Sequence, residues 1–155
     1  MKLLDFLVKG ATIENLVSDN KESVVEELVQ ALAKTEVIKA SVQKEIIQKV
    51  MEREQQGSTG IGNCLAVPHL KQTVHVEKTV GVFGRSKAGI PFGAIDGVKC
   101  HLFFLILNPK KEMTAHLEAL RRVAHLSKDI DFCRYLKDAK NLKEILELLE
   151  EADER

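Results

Sequence analysis

Apolar residues recur along this chain with two different periods, and the change of period divides it into three stretches. In DNKESVVEELVQALAKT (19–35) they fall at 24, 25, 28, 29 and 32, the spacing of one helical face. Asp19 with Glu22 three residues on reads as a capping box that opens this helix. Residues 41–55 repeat the pattern, with Val42, Ile46, Ile47, Val50 and Met51 on one face and Gly57 placed to end it. The middle stretch abandons that period. CLAV (64–67), KTVGVFGR (78–85) and VKCHLFFLIL (98–107) are short β-rich runs punctuated by Gly, Pro and Asp-Gly. CHLFFLIL is almost unbroken in apolar character, as a central strand covered on both faces would be. AIDGV (94–98) reads as a tight turn into it, and Pro109 ends it. A further short strand is expected at ATIENL (11–16).

From Glu112 the helical period returns. Leu117, Leu120, Val123, Ala124 and Leu126 form one stripe, DFCRYL a short second helix, and Asn141 with Glu144 opens a third. Helices, then strands, then helices predict an α/β fold in which a small mixed β-sheet is sandwiched between helices. No repeat, low-complexity tract or linker divides the chain, so residues 1–155 are expected to form a single domain.

Composition narrows the function classes. Lys plus Arg and Asp plus Glu balance at 23 each, and with no Trp and one Tyr there is no basic, aromatic surface for nucleic acid. The longest apolar run, LFFLIL, is far short of the ~20 residues of a spanning helix, so no direct membrane insertion is expected. Asp5 interrupts the N-terminal MKLLDFLVKG and no cleavage site follows, so no export signal is read there. Cys64, Cys100 and Cys133 lack paired spacing and read as buried thiols of a reducing cytoplasm.

The candidate chemistry lies in GSTGIGNCLAVPHL (57–70), a glycine-rich loop followed by an apolar run and a Pro-His pair. The loop is neither a nucleotide-binding P-loop nor a dinucleotide fingerprint, and on residue types alone it reads equally as a plain turn. Ser58 lacks a nucleophile elbow, and Cys64 reads as an inert thiol inside an apolar strand. The five histidines (69, 75, 101, 116 and 125) form no metal-binding spacing, so no metal is expected. Alone, His75 reads as a solvated loop residue, His101 as a strand residue facing a helix or solvent, and His125 as a cation suited to a helix end. His116 alone reads as a helix-surface histidine and Arg53 as a solvated helix-end residue.

STGIGNCLAVPH closely resembles the active-site segment of phosphotransferase-system (PTS) enzyme IIA domains of the fructose–mannitol and nitrogen-regulatory class. The resemblance runs through MERE before the loop, GIPFGAIDGVKCHLFFLILNP, AHLEALRRVAHLSKD and the opening MKLLDFL, and so covers essentially the whole chain. It implies that His69 accepts a phosphoryl group from phospho-HPr, that Arg53 and His116 support that group close to His69, and that Leu117 and Leu120 anchor the helix of His116. A phosphoryl-binding set of Thr59, Gly60, Ile61, Gly62 and Asn63 goes with it, with the backbone N–H groups of residues 60–63 as an anion nest. No cofactor is implied, because a phosphoramidate donor is already activated. Partners are then a phospho-HPr-type carrier and either a IIB domain or regulatory targets. With no IIB or IIC segment attached, the chain is expected to be a cytoplasmic regulator before a sugar-uptake component. Cys64 departs from the pattern, standing where the class usually has glycine, and Leu70 and Lys71 also differ from its commoner residues.

Overall fold

The computed structural model describes residues 1–154. A single turn of helix, α1 (Leu3–Phe6), precedes α2 (Lys21–Lys34) and α3 (Gln43–Gln55). Five strands follow: β1 (Gly60–Gly62), β2 (Leu65–Ala66), β3 (His69–Leu70), β4 (Val80–Ile90) and β5 (Cys100–Leu107). The chain ends in α4 (Met113–Ser127), α5 (Ile130–Asp138) and α6 (Leu142–Asp153). β5 is central, antiparallel to β4 on one side and parallel to β2 and β3 on the other, with β1 antiparallel to β2.

Alternation along β5 explains the layers. Phe103, Leu105 and Leu107 pack into one core with Val24, Leu28 and Leu32 of α2 and Ile46 and Val50 of α3. Leu102, Phe104 and Ile106 pack into the other with Val123, Phe132, Leu136, Ile145 and Leu149 of the C-terminal helices. Every residue of β5 is buried, as its apolar run requires. The expected mixed sheet between helices is what forms.

Several local expectations are corrected. The N-cap of α2 is Asn20, whose side chain accepts from Ser23 N, and not Asp19. Residues 11–16 form no strand. They line the free edge of β4 through an isolated Ile13–Gly84 bridge, and the pairing is broken where Glu14 O accepts from the Arg85 side chain instead. Arg85 is itself fully buried and donates to Leu136 O, Lys137 O and Ala139 O, satisfying orphan carbonyls at the end of α5 and tying that helix to the sheet. On α4 the buried positions are His116, Ala119, Val123, Leu126 and Ser127, while Leu117 is 48% exposed and Ala124 lies outside the core. Leu117 therefore does not anchor the helix; His116 takes the interior place expected of it. His75 pairs with the Glu45 carboxylate in place of standing free in solvent. His101 is buried and donates from Nδ1 to Ser86 O at 2.8 Å.

Candidate functional site

β2 and β3 keep one register against β5 and amount to a single strand interrupted at Val67–Pro68. Pro68 has no N–H to give, yet its carbonyl accepts from Ile106 N at 3.1 Å, so the ladder survives the break. Alternation sends Leu65 and Val67 into the core beneath α4–α6 and Ala66 and Leu70 into that beneath α2 and α3. His69 thus falls on the α4 side, half-buried at the end of the strand.

His116 reaches the same place from the first turn of α4, only 2% exposed. The two ring centroids are 5.5 Å apart with planes inclined by 51°. Sequence had offered these histidines from distant segments, and the fold brings them side by side. His69 Nδ1 lies 2.9 Å from Val67 O, and since a carbonyl can only accept, Nδ1 carries the proton. Nε2 is then an unprotonated lone pair, engaged by nothing among the described residues. Burial lowers the His69 pKa below its ordinary value of 6.5, the Val67 carbonyl opposes this, and Arg53 lowers it further. Burial, helped by His69 and Lys71, lowers His116 to about 4. Both rings are neutral near pH 7. His116 Nδ1 is buried without a hydrogen-bond partner among the described residues.

Arg53 sits in the last turn of α3 and donates from Nη1 to Gly57 O at 2.9 Å. The remaining donors of its fork are bonded to no described residue. Its neighbour Glu54, 4% exposed, receives the Lys21 ammonium at 2.9 Å and binds both the backbone N–H and the hydroxyl of Thr59. Lys21 also lies 4.5 Å above the ring of Phe92. This chain, from the half-buried Lys21 to the buried Glu54 and Thr59, fixes the start of the glycine loop. Sequence reasoning missed Glu54 and Lys21. The available signal was spacing: Glu54 continues the buried Ile46 and Val50 positions in steps of four, so a carboxylate occupies an apolar stripe.

Other loop groups are likewise engaged. Ser58 Oγ donates to Phe92 O at 2.5 Å and accepts from Gly60 N at 3.0 Å. Asn63 N donates to Asp96 Oδ2 at 3.2 Å, and its side-chain amide to Ser127 O at 2.6 Å. The N–H groups of Thr59, Gly60 and Asn63 are therefore spent inside the protein and are not open to an anion, while Ile61 and Gly62 remain within β1. A Cβ on Gly60 would lie 2.8 Å from Ala94 Cα, so only glycine lets the β4–β5 hairpin close over the loop. Gly62, Asn63 and Cys64 have φ of +98°, +54° and +67°, three left-handed residues in succession. Cys64 consequently lies in a half-exposed turn before β2 and not inside the strand. Cys100 and Cys133 are buried free thiols, pushed by burial to about 12 and about 11.

Residues 5–152 match the family described as phosphoenolpyruvate-dependent sugar phosphotransferase system, EIIA 2. The chain belongs to this EIIA 2 family. It is 33% identical over 153 residues to the fructose-specific EIIABC component of Bacillus subtilis (strain 168), covering 99% of this chain but only 24% of that protein. It is 31% identical over 152 residues to the nitrogen regulatory protein of Klebsiella oxytoca, covering 98% of this chain and 92% of that one. The crystal structure of nitrogen regulatory protein IIA-Ntr from Neisseria meningitidis superposes with a TM-score of 0.82 at 24% identity, over 94% of this chain and 97% of that one. The mannitol IIA of Escherichia coli, solved in complex with phosphorylated IIB, shares the fold with a TM-score of 0.74 at 23% identity, over 93% and 96% of the two chains. Of the two neutral imidazoles, His69 feels the charge of the Arg53 guanidinium, which spends one nitrogen on Gly57 O and keeps its other donors free of described residues. No group of three His, Cys, Asp or Glu among the described residues stands together to hold a metal. No helix among them is long and apolar enough to cross a membrane.

Proposed function

We propose that this chain is a protein-histidine phosphotransferase of the cytoplasm, taking a phosphoryl group from a phospho-HPr-type carrier onto His69 Nε2 and acting on regulatory target proteins through its phosphorylation state. The observation that carries the reading is the His69 Nδ1–H bond to Val67 O, which leaves Nε2 as the nucleophile beside His116. In the step, the Nε2 lone pair forms the new P–N bond as the donor's P–N bond breaks and its electron pair returns to the donor imidazole. Such transfer depends on positioning and on stabilising charge over the phosphoryl oxygens, and no metal is needed for it. Arg53 offers those oxygens a permanent charge in fork geometry, and His116 a hydrogen bond from its neutral ring. The arriving dianion raises the His116 pKa, so the bond strengthens as the product forms. Thr59, Gly60 and Asn63 act by holding the loop in shape, and Ile61 and Gly62 act as part of β1 between them.

Likeness to the nitrogen regulatory proteins over nearly their whole length supports the regulatory form. A second reading, a sugar-uptake component that hands the group to a IIB domain, is favoured by likeness to the fructose-specific protein. Incubation with phospho-HPr followed by intact mass tests the common core. Wild type should gain one phosphoryl group, labile to acid and stable to base, and folded His69→Ala none. Label on the variant, or an acid-stable adduct, would overturn the assignment. Chasing the labelled protein with a fructose- or mannitol-type IIB domain separates the two forms: rapid loss of label to IIB favours uptake, and retention favours regulation.

A further inference from the structure

β5 is apolar from Leu102 to its end at Leu107, and the next residue, Asn108, is polar yet wholly buried. Its backbone N–H donates to Leu70 O at 3.0 Å and its carbonyl accepts from Thr73 N at 2.9 Å. The side-chain amide donates to Lys71 O at 3.2 Å and to Pro109 O at 2.8 Å. Oδ1 accepts from Thr79 Oγ1 at 2.5 Å. Both side-chain donors and the side-chain acceptor are used, so this amide is fully satisfied.

These bonds join three segments that meet nowhere else by side-chain hydrogen bonds among the described residues. Leu70, Lys71 and Thr73 are the chain leaving His69; Thr79 is the entry to β4; Pro109 begins the connection to α4, which carries His116. A leucine would continue the apolar run of β5 and need no partners. An asparagine at zero exposure must recover its desolvation in bonds, and these bonds converge on the two ends of the histidine pair. We infer that Asn108 is a positioning residue, holding the exit of β3 and the approach to α4 at the separation that keeps His69 and His116 side by side. The inference rests on the phosphoryl-transfer reading and adds a residue to it. Asn108 touches neither ring and acts through the backbone on either side of them. Without its amide, Lys71 O and Thr79 Oγ1 lose their side-chain tie to Asn108. The backbone bonds to Leu70 and Thr73 and the Glu112 N–Pro109 O bond remain, so β3 stays paired but loosens relative to α4, while the Val67 bond still orients the His69 ring.

The test uses Asn108→Ala and Thr79→Val in the full chain, with transfer kinetics from phospho-HPr and imidazole NMR of both histidines without a donor. In Asn108→Ala, kcat should fall on the order of tenfold to a hundredfold, as a small misplacement of reacting groups costs. KM for phospho-HPr should stay as in wild type, because Asn108 does not reach the surface. The ring resonances of His69 and His116 should both move. Thr79→Val leaves the two amide donations intact and should change each quantity in the same direction but less. Wild-type kcat with unmoved resonances in Asn108→Ala overturns the inference and leaves the functional reading standing. So does an unfolded Asn108→Ala accompanied by a wholly wild-type Thr79→Val, which would make Asn108 a core support only. If wild type itself takes no phosphoryl group, the functional reading falls, and the ring resonances alone decide whether Asn108 positions the pair.

Discussion

The interface of α2 with β5 and the pocket of His69 and His116 are built from the same sheet by opposite rules. In the first, Val24, Val25, Leu28, Val29 and Leu32 are all at zero exposure, opposite Phe103, Leu105 and Leu107. Nothing polar interrupts them, and period alone decides which side chain points inward. In the second, a histidine fills an interior position of α4 while the leucine after it is 48% exposed, and a glutamate fills an interior position of α3. Two non-glycine residues there, Asn63 and Cys64, also adopt left-handed backbone. Local rules are kept along the α2–β5 interface and broken beside the histidine pair, as they are also at the buried Arg85 that ties α5 to the sheet. Stability and transfer should therefore be separable by mutation.

The largest expected effect is on the first region. Leu28→Ala removes a wholly buried side chain and should cost about 2–5 kcal/mol in chemical denaturation. Transfer by the folded fraction should be as in wild type. A transfer defect exceeding the loss of folded protein would show that the two regions are coupled through the sheet.

Next comes the pH dependence of stability. His116 in the folded state titrates at about 4, below its ordinary 6.5, so the unfolded chain binds the proton first as pH falls. Its contribution is complete above the unfolded value, is lost as pH drops from 6.5 to 4, and falls no further below that. His69 and His101 shift in the same direction, so the difference from a His116→Gln variant isolates one ring. That variant should lose less stability across this window, by up to about 3 kcal/mol. Parallel curves for the two proteins would mean that His116 is not held neutral by burial.

Arg53→Lys tests the second region alone. Its one hydrogen bond among the described residues is to the exposed Gly57 carbonyl, so stability should hardly change. Transfer should slow by about tenfold to a hundredfold, because an ammonium cannot reproduce the fork and a bond to a charged group is worth roughly 1.5–3 kcal/mol. Unimpaired transfer would remove Arg53 from the site.

What could be read from sequence follows the same division. The α2 and α3 stripes, the doubly covered β5 and the cap at Asn141 are local patterns, and each stands where period and capping chemistry place it. The α4 stripe departs from its period because the imidazole of His116, and not the more apolar Leu117, packs inside against the ring of His69. Asn108 is not legible in the sequence for a related reason, and Glu54 only as a carboxylate on an apolar stripe. A buried polar group is recognised by its partners, and Lys21 is remote in sequence from Glu54 as Thr79 is from Asn108. The edge segment 11–16 was read as a strand because its neighbour's arginine, which takes one of its carbonyls, cannot be inferred from period.

The smallest effect concerns Cys64, where the second region breaks a rule with no side-chain bond to show for it. Its carbonyl accepts from His101 N at 2.8 Å and Leu102 N at 2.9 Å, bonds that a glycine would keep. Its φ of +67° is a conformation in which a Cβ is strained by about 1–2 kcal/mol, whereas glycine adopts it freely. Asn63 before it shares the left-handed region but recovers two hydrogen bonds, to Asp96 and Ser127. No hydrogen bond from the Cys64 side chain compensates in this way among the described residues. Cys64→Gly removes the strain and gives back part of the gain through the greater freedom of the unfolded chain. The net stabilisation should be about 0.5–1 kcal/mol, read as a higher denaturation midpoint at unchanged slope. Transfer should stay within about twofold, because the loop is pinned through Glu54, Ser58, Asp96 and the Cys64 carbonyl, and not through the Cys64 side chain. Destabilisation by Cys64→Gly would show that the thiol packs usefully in the cavity it lines with Asn63, Ile130 and Cys133, and that this departure from local rules is structural after all.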